Sequence, residues 1–202
     1  MKNPRAQVRT QCAALAVAIL LCATVVQAHI QEGEAAGFWS GVRHPISGLD
    51  HVLAMIAVGL WGAQLGAPAI WLLPVAFPIV MAFGGMMGLL GIPVPGTEIG
   101  IAASAILLGA AVMFESRPRL FIAALVVGVF AIFHGYAHGT ELPPGESGLL
   151  YSVGFVTATG CLHGVGITIG LSHRWGWGQR VVRLAGAGVA VAGLVFLWMA
   201  LK

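Results

Sequence analysis

Long apolar stretches alternate with short polar connections along most of the chain. Stretches of about 20 residues are long enough to cross a bilayer as helices, and six can be delimited, at residues 48–65, 69–91, 97–114, 120–139, 148–171 and 181–200. Pro74 and Pro78 are expected to bend the second stretch, which membrane helices tolerate when their neighbours satisfy the freed carbonyl groups. The pattern predicts an all-α fold, a polytopic membrane helix bundle with six transmembrane helices.

The first 28 residues have the pattern of a secretory signal peptide. Lys2, Arg5 and Arg9 precede an apolar segment, 12–26, and small residues at a cleavage site follow it. Removal of residues 1–28 would leave residues 29–202 as one transmembrane transport domain. The alternative is an uncleaved anchor helix, but the apolar segment is short for a span. Both interpretations place residue 29 outside the inner membrane.

Composition indicates a membrane protein and argues against a nucleic-acid partner. The 202 residues are 58% hydrophobic and 8% charged, which is more apolar surface than a soluble core of this size can bury. The basic residues fall singly or in pairs between apolar stretches, and no basic run with interleaved aromatic residues occurs. We therefore expect the lipid bilayer, and no nucleic acid, as a partner.

Charged residues in the connections predict an orientation. Five arginines lie between the third and fourth stretches or near the connection between the fifth and sixth: Arg117, Arg119, Arg174, Arg180 and Arg183. The connections on the other side carry three glutamates, Glu98, Glu141 and Glu146, and no Lys or Arg. Because cytoplasmic loops are enriched in Lys and Arg, the arginines are expected inside a bacterial inner membrane, with both ends of the mature chain in the periplasm.

Ionisable residues within apolar stretches are the candidates for chemistry, because lipid disfavours them. They form three clusters: His44, Asp50 and His51 at the start of the first stretch; His134, His138 and Glu141 at the end of the fourth; and His163 in the fifth. Imidazole and carboxylate donors together suit a borderline divalent transition metal. We predict that these seven residues are metal ligands.

Structural explanations exist for parts of two clusters. Ser47 and Asp50 fit a capping box at the start of the first helix, with Pro45 in the entry turn. That explanation leaves the two flanking histidines unexplained. A lone His163 that bonds a backbone carbonyl in a tight helix contact is also compatible with the sequence. The roles of Asp50 and His163 therefore stay open between structure and ligation.

The second cluster has the spacing of a helical ligand pair. His134 and His138 stand at i and i+4, with Glu141 at i+7, so all three project from one face if the helix persists. Paired histidines at this spacing are a common ligand geometry. Gly135 and Gly139 beside them are expected to let a neighbouring helix approach closely.

The predicted topology places the three polar clusters along one route through the membrane. The first helix enters from the side at which the fourth helix ends, so their polar clusters can share one site. His134 lies about 6 Å deeper than His138 along a helix, and His163 deeper again. A descending series of ligands suits a permeating cation, which must exchange its hydration shell for successive weak sites.

At these residues the sequence resembles the HupE/UreJ family of bacterial nickel permeases. The family hallmark, H-x5-D-H, reads HPISGLDH at 44–51, and FHGYAHGTE at 133–141 and ATGCLHGVGI at 158–167 resemble its later histidine-bearing segments. The resemblance covers the mature chain. It implies uptake of nickel, and of cobalt in some members, for hydrogenase or urease. Downstream nickel enzyme maturation proteins are then the implied partners, and the metal is a substrate, with no resident cofactor.

Other functions can be weighed against transport. The alternatives are a membrane-embedded metalloenzyme, which needs similar ligands, and an adaptor for a metal chaperone, for which the loops are short. The sequence has no HExxH motif and no evident nucleophile beside a general base, so we expect no enzyme. It also lacks GxxxxGK[ST], which leaves secondary transport or facilitated diffusion. A homo-oligomer, the client enzyme and the physiological metal stay open.

Overall fold

The computed structural model describes residues 34–141 and 147–202, and these ranges fold into seven α-helices and one short 3₁₀-helix. The helices are α1 (Glu34–Ser47), α2 (Leu49–Leu65), α3 (Ala69–Leu89), α4 (Thr97–Met113), α5 (Leu120–Thr140), α6 (Gly148–Gly170) and α7 (Gly176–Ala200), and the 3₁₀-helix is Leu171–Arg174. The predicted signal peptide and Glu146 lie outside the described residues. The all-α prediction is confirmed for the described ranges.

Six of these helices, α2 to α7, correspond to the six predicted stretches. Among the described residues, four are long and apolar enough to cross a membrane: α3, α5, α6 with its 3₁₀ extension, and α7. The bent pair α1 and α2 can form a fifth span. Helix α4 has 17 residues, or about 25 Å, against a hydrocarbon core of about 30 Å. The chain is therefore a multi-pass membrane protein.

Large apolar side chains cover the outside of the bundle. Trp71, Ile79 and Phe83 on α3 are each more than half exposed, as are Leu184 and Trp198 on α7. In water, an apolar surface this extensive would drive aggregation or association. Lipid tails solvate it without cost, so the exposed surface agrees with the membrane assignment.

Helix α1 was not predicted, and it changes the entry to the first span. Residues 37–47 of α1 are bent by 82° from α2, and Gly48 forms the junction. The predicted capping box does not form, because Ser47 Oγ donates to the His44 carbonyl and Gly48 is the N-cap. Pro45 lies within the last turn of α1 and not in an entry turn. The polar motif therefore spans a helix corner.

Helix α2 lies at the centre and contacts α3, α4, α6 and α7. The closest helix pairs are α3 with α5, α4 with α7, and α2 with α6. Gly135 and Gly139 on α5 meet the backbone of α3, where a Cβ atom would collide with the carbonyl oxygens of Met81 and Gly85. The predicted close approach at these two glycines is confirmed.

Helix directions place the two charged groups of loops at opposite ends of the bundle. We call the end where α2 and α6 begin and α5 terminates the histidine end, because it carries His44 and His138. The opposite end, the arginine end, carries five arginines: Arg117 and Arg119 before α5, Arg174 in the 3₁₀-helix, and Arg180 and Arg183 in the N-terminal part of α7. The exposed Arg43 and the terminal Lys202 are basic residues at the histidine end. The predicted orientation rests on this difference in arginine content between the ends.

Candidate metal site

Three predicted ligands meet at the histidine end. His44 on α1, His138 on α5 and Glu141 at the end of α5 place one donor atom each within 4.8 Å of one another. His44 Nε2 lies 2.9 Å from Glu141 Oε2, and the His44 and His138 rings are 4.6 Å apart between centroids. The bend after α1 makes this possible, because it turns His44 back over the end of α5.

Asp50 and His51 form a second unit at the start of α2. Asp50 Oδ1 accepts hydrogen bonds from both the backbone N–H and the Nδ1 of His51, each at 2.9 Å. A carboxylate can only accept, so Nδ1 carries the proton and Nε2 keeps its lone pair. This Asp-His arrangement is how proteins commonly orient a metal-binding imidazole. Asp50 thus orients the predicted ligand His51. The sequence could not distinguish this role from direct ligation or helix capping.

His134 and His163 are oriented by backbone carbonyls instead. His134 Nδ1 lies 3.0 Å from the carbonyl of Phe130, and His163 Nδ1 lies 2.8 Å from the carbonyl of Met55. The structural explanation for His163 therefore holds for one of its nitrogens. Because a carbonyl only accepts, both rings donate from Nδ1 and present Nε2 as a base.

Several ring nitrogens inside the bundle lack a partner. Nε2 of His51, His134 and His163 and both nitrogens of His138 are buried and have no hydrogen-bond partner among the described residues. A buried polar group without a partner costs about 1 to 3 kcal/mol, and native proteins rarely accumulate several in one place. A cation that these lone pairs bind would remove that cost.

Ring contacts connect four of the histidines, His44, His138, His51 and His134, into a column that Phe77 extends to His163. The His51 ring lies 4.5 Å from that of His138 and 4.9 Å from that of His134, which fits the single face predicted for the α5 pair. Side-chain exposure falls from 55% at Glu141 and 25% at His44 to 11% at His51. His134 and His163 are fully buried. The column therefore leads from an accessible end into the interior.

The seven predicted ligands fall into two groups: one contains the two carboxylates and the histidines around them, and the other contains histidines whose Nδ1 bonds a backbone carbonyl. The carboxylate cluster comprises the five residues nearest the histidine end: His44, Asp50, His51, His138 and Glu141. The carbonyl-bound histidines are His134 and His163. All seven predicted ligands belong to one of these groups, and His163 lies apart from the group of three donors at His44.

Aromatic side chains that the sequence did not single out line the column. The Phe155 ring on α6 lies 4.1 Å from that of His138, and Tyr151, one turn earlier, lies 5.8 Å from that of His44. Phe77 on α3 contacts His134 and His163, at 5.6 and 5.3 Å. An aromatic pair at i and i+4 on α6 is a sequence signal that could have identified Tyr151 and Phe155. No local signal distinguishes Phe77 from the other apolar residues of α3.

Comparison with known proteins finds one matching family model and one similar protein. The family model described as HupE / UreJ protein matches residues 17–196. Protein HupE of Rhizobium leguminosarum bv. viciae is 46% identical over 182 residues, which cover 90% of this chain and 94% of that protein. No solved structure matches the chain.

Proposed function

Because this chain belongs to the HupE/UreJ family, we propose that it takes up nickel, or cobalt, across the bacterial inner membrane. Its family resemblance implies a supply route to hydrogenase or urease. The six helices α2 to α7 act as the six spans in this proposal, after cleavage of residues 1–28. Uptake is secondary transport or facilitated diffusion.

The observation that carries the proposal is the set of buried ring nitrogens without partners among the described residues. They lie at membrane depth, where lipid makes polar groups costly, and neutral imidazole is a good ligand for nickel and cobalt. Three of the rings already have Nδ1 held by Asp50 or by backbone carbonyls. These rings are therefore already oriented, and binding requires the cation to lose water but does not require the site to rearrange.

Charge supports the direction of transport. The histidine end is proposed to face the periplasm, since the arginines concentrate at the opposite end. Glu141 and Asp50 supply negative charge where a cation would arrive, which raises its local concentration. The carboxylate cluster would capture the ion, and His134 and His163 would pass it inward.

The proposal is tested by radioactive nickel uptake in nickel-limited cells that express the chain. We expect accumulation above that of cells without it, and competition by cobalt stronger than by zinc or copper. The same protein in proteoliposomes, with the voltage clamped, distinguishes a facilitator, which ignores collapse of the proton gradient, from a proton-coupled carrier. Absence of uptake, with stoichiometric metal retained through purification, would contradict transport and favour the metalloenzyme.

A further inference from the structure

Phe77 packs against both of the carbonyl-bound histidines. Its side chain is fully buried, and its ring meets the His134 ring at 65° and the His163 ring at 83°. Both are edge-to-face contacts between closely packed rings. A cation that moved from one histidine to the other would pass along this phenyl ring.

The order of the three residues along the bundle follows from their contacts with α2. His134 packs beside His51, whereas His163 bonds the carbonyl of Met55, which lies four residues further along α2. Four helical residues span about 6 Å, so His163 is one turn further from the histidine end than His134. Phe77 therefore contacts one histidine nearer the histidine end and another about one helical turn further into the bundle.

The two histidines can bind a metal ion, whereas the phenyl ring that they contact cannot. His134 and His163 each present a buried Nε2 with no hydrogen-bond partner among the described residues. A phenyl ring has no lone pair to replace a water ligand of a transition metal ion. A hydrophobic constriction stops a hydrated ion because no group there can replace the water ligands that the ion would have to lose.

Helix α3 has a local means to move the ring. Pro74 and Pro78 lie three residues before and one residue after Phe77, and each lacks the N–H that would bond a carbonyl one turn earlier. The helix is therefore held by fewer hydrogen bonds around Phe77. Further along α3, Gly84 and Gly88 fix the helix against the α5 backbone, so a displacement can be confined to the proline segment.

We propose that Phe77 is the barrier residue of the transport path, and that the cation passes from His134 to His163 only when this ring moves aside. The inference rests on the proposed function, because it assumes that a metal ion travels along the histidine column. It adds a residue that bears no ligand atom and controls passage without contributing to capture.

The test separates binding from passage. Phe77→Ala and Phe77→Trp are compared with the wild-type protein by equilibrium dialysis against radioactive nickel and by nickel flux into proteoliposomes at clamped voltage. We expect both variants to bind nickel within about threefold of wild type, Phe77→Ala to raise passive flux about tenfold, and Phe77→Trp to lower it about tenfold. Leu108→Ala is the control, because Leu108 is equally buried but lies on α4, which carries none of the predicted ligands.

The outcomes are distinguishable. Flux changes in the same direction for both variants, or a Leu108→Ala effect equal to that of Phe77→Ala, would overturn the barrier role. Phe77→Leu, which keeps most of the apolar volume, replaces Phe77→Ala if that variant does not reach the membrane, with a smaller increase expected. A wild-type protein that neither binds nor carries nickel would overturn the proposed function and this inference together.

Discussion

The carboxylate cluster and the carbonyl-bound histidines use the same imidazole donor in opposite surroundings. In the cluster, His44 and His51 bond carboxylates, and His44, Asp50 and Glu141 are partly exposed. His134 and His163 bond backbone carbonyls and are fully buried. Charge attracts a cation over a distance, whereas neutral ligands bind it weakly enough for release. The difference separates capture from passage along one column.

His138 provides the strongest test of this comparison, because it belongs to the cluster yet adjoins the buried part of the column. Neither of its ring nitrogens has a partner among the described residues, and its ring contacts those of His44 and His51. We expect His138→Ala to weaken nickel binding by about 100-fold, as loss of a direct ligand does, and to abolish uptake. The measurements are equilibrium dialysis and cellular accumulation.

His173→Ala is the matched control for that prediction. His173 lies in the 3₁₀-helix at the arginine end, and its Nδ1 bonds the Gly170 carbonyl. It is therefore held at the end of the bundle opposite to the carboxylate cluster. Equal losses of binding in the two variants would show that the cluster is not the capture site.

Asp50 tests whether charge and orientation matter at the cluster. Asp50→Asn keeps the shape of the side chain and an oxygen that can accept from His51, but removes the negative charge. Loss of such a supporting carboxylate weakens metal affinity by about 10- to 100-fold. We therefore expect the nickel affinity of Asp50→Asn to fall by that factor, and the nickel concentration for half-maximal uptake to rise to match. Glu98→Gln, an exposed carboxylate at the same end, is expected to change neither value. A neutral effect of Asp50→Asn would assign Asp50 a purely local structural role.

His163 tests the other side of the comparison. It is buried, contacts Phe77 and lies outside the carboxylate cluster, so His163→Ala is expected to leave nickel affinity within about threefold while lowering uptake about tenfold. His163→Asn, which can still donate to the Met55 carbonyl, separates ligation from helix packing. Full uptake in the Asn variant would identify His163 as a packing residue.

Helix positions could be predicted closely, because lipid imposes a length and an apolar composition on each span. Helix α2, predicted at 48–65 and observed at Leu49–Leu65, shows this. Helix α1 was missed because its buried positions, Gly37, Gly41 and Pro45, follow a four-residue period without large apolar residues. The period was visible, but glycine and proline are poor helix formers, and tertiary packing on α6 overrides their preference.

The candidate site was predictable to the same degree. Histidines at membrane depth are conspicuous in any sequence, and all seven predicted ligands lie along one column or at its end. Which atom each uses depends on long-range partners, such as the Met55 carbonyl for His163 and Glu141 for His44. Phe77 is one of nine phenylalanines, and only the fold brings it into contact with two histidines.

Glu141 is expected to give the smallest effect, although it belongs to the group of three donors. Its side chain is 55% exposed, and exposed charge pairs contribute about 0 to 1 kcal/mol, so Glu141→Gln is expected to weaken nickel binding about threefold. If Glu141 acts chiefly by attracting the cation, the loss decreases as ionic strength rises, because salt screens exposed charges. If Glu141 bonds the metal directly, the loss persists at high salt and exceeds that of Asp50→Asn. Equilibrium dialysis of both variants at low and high salt distinguishes these cases. Direct bonding by Glu141 would mean that the exposed end of the column, and not His138 and His51, contributes most to capture.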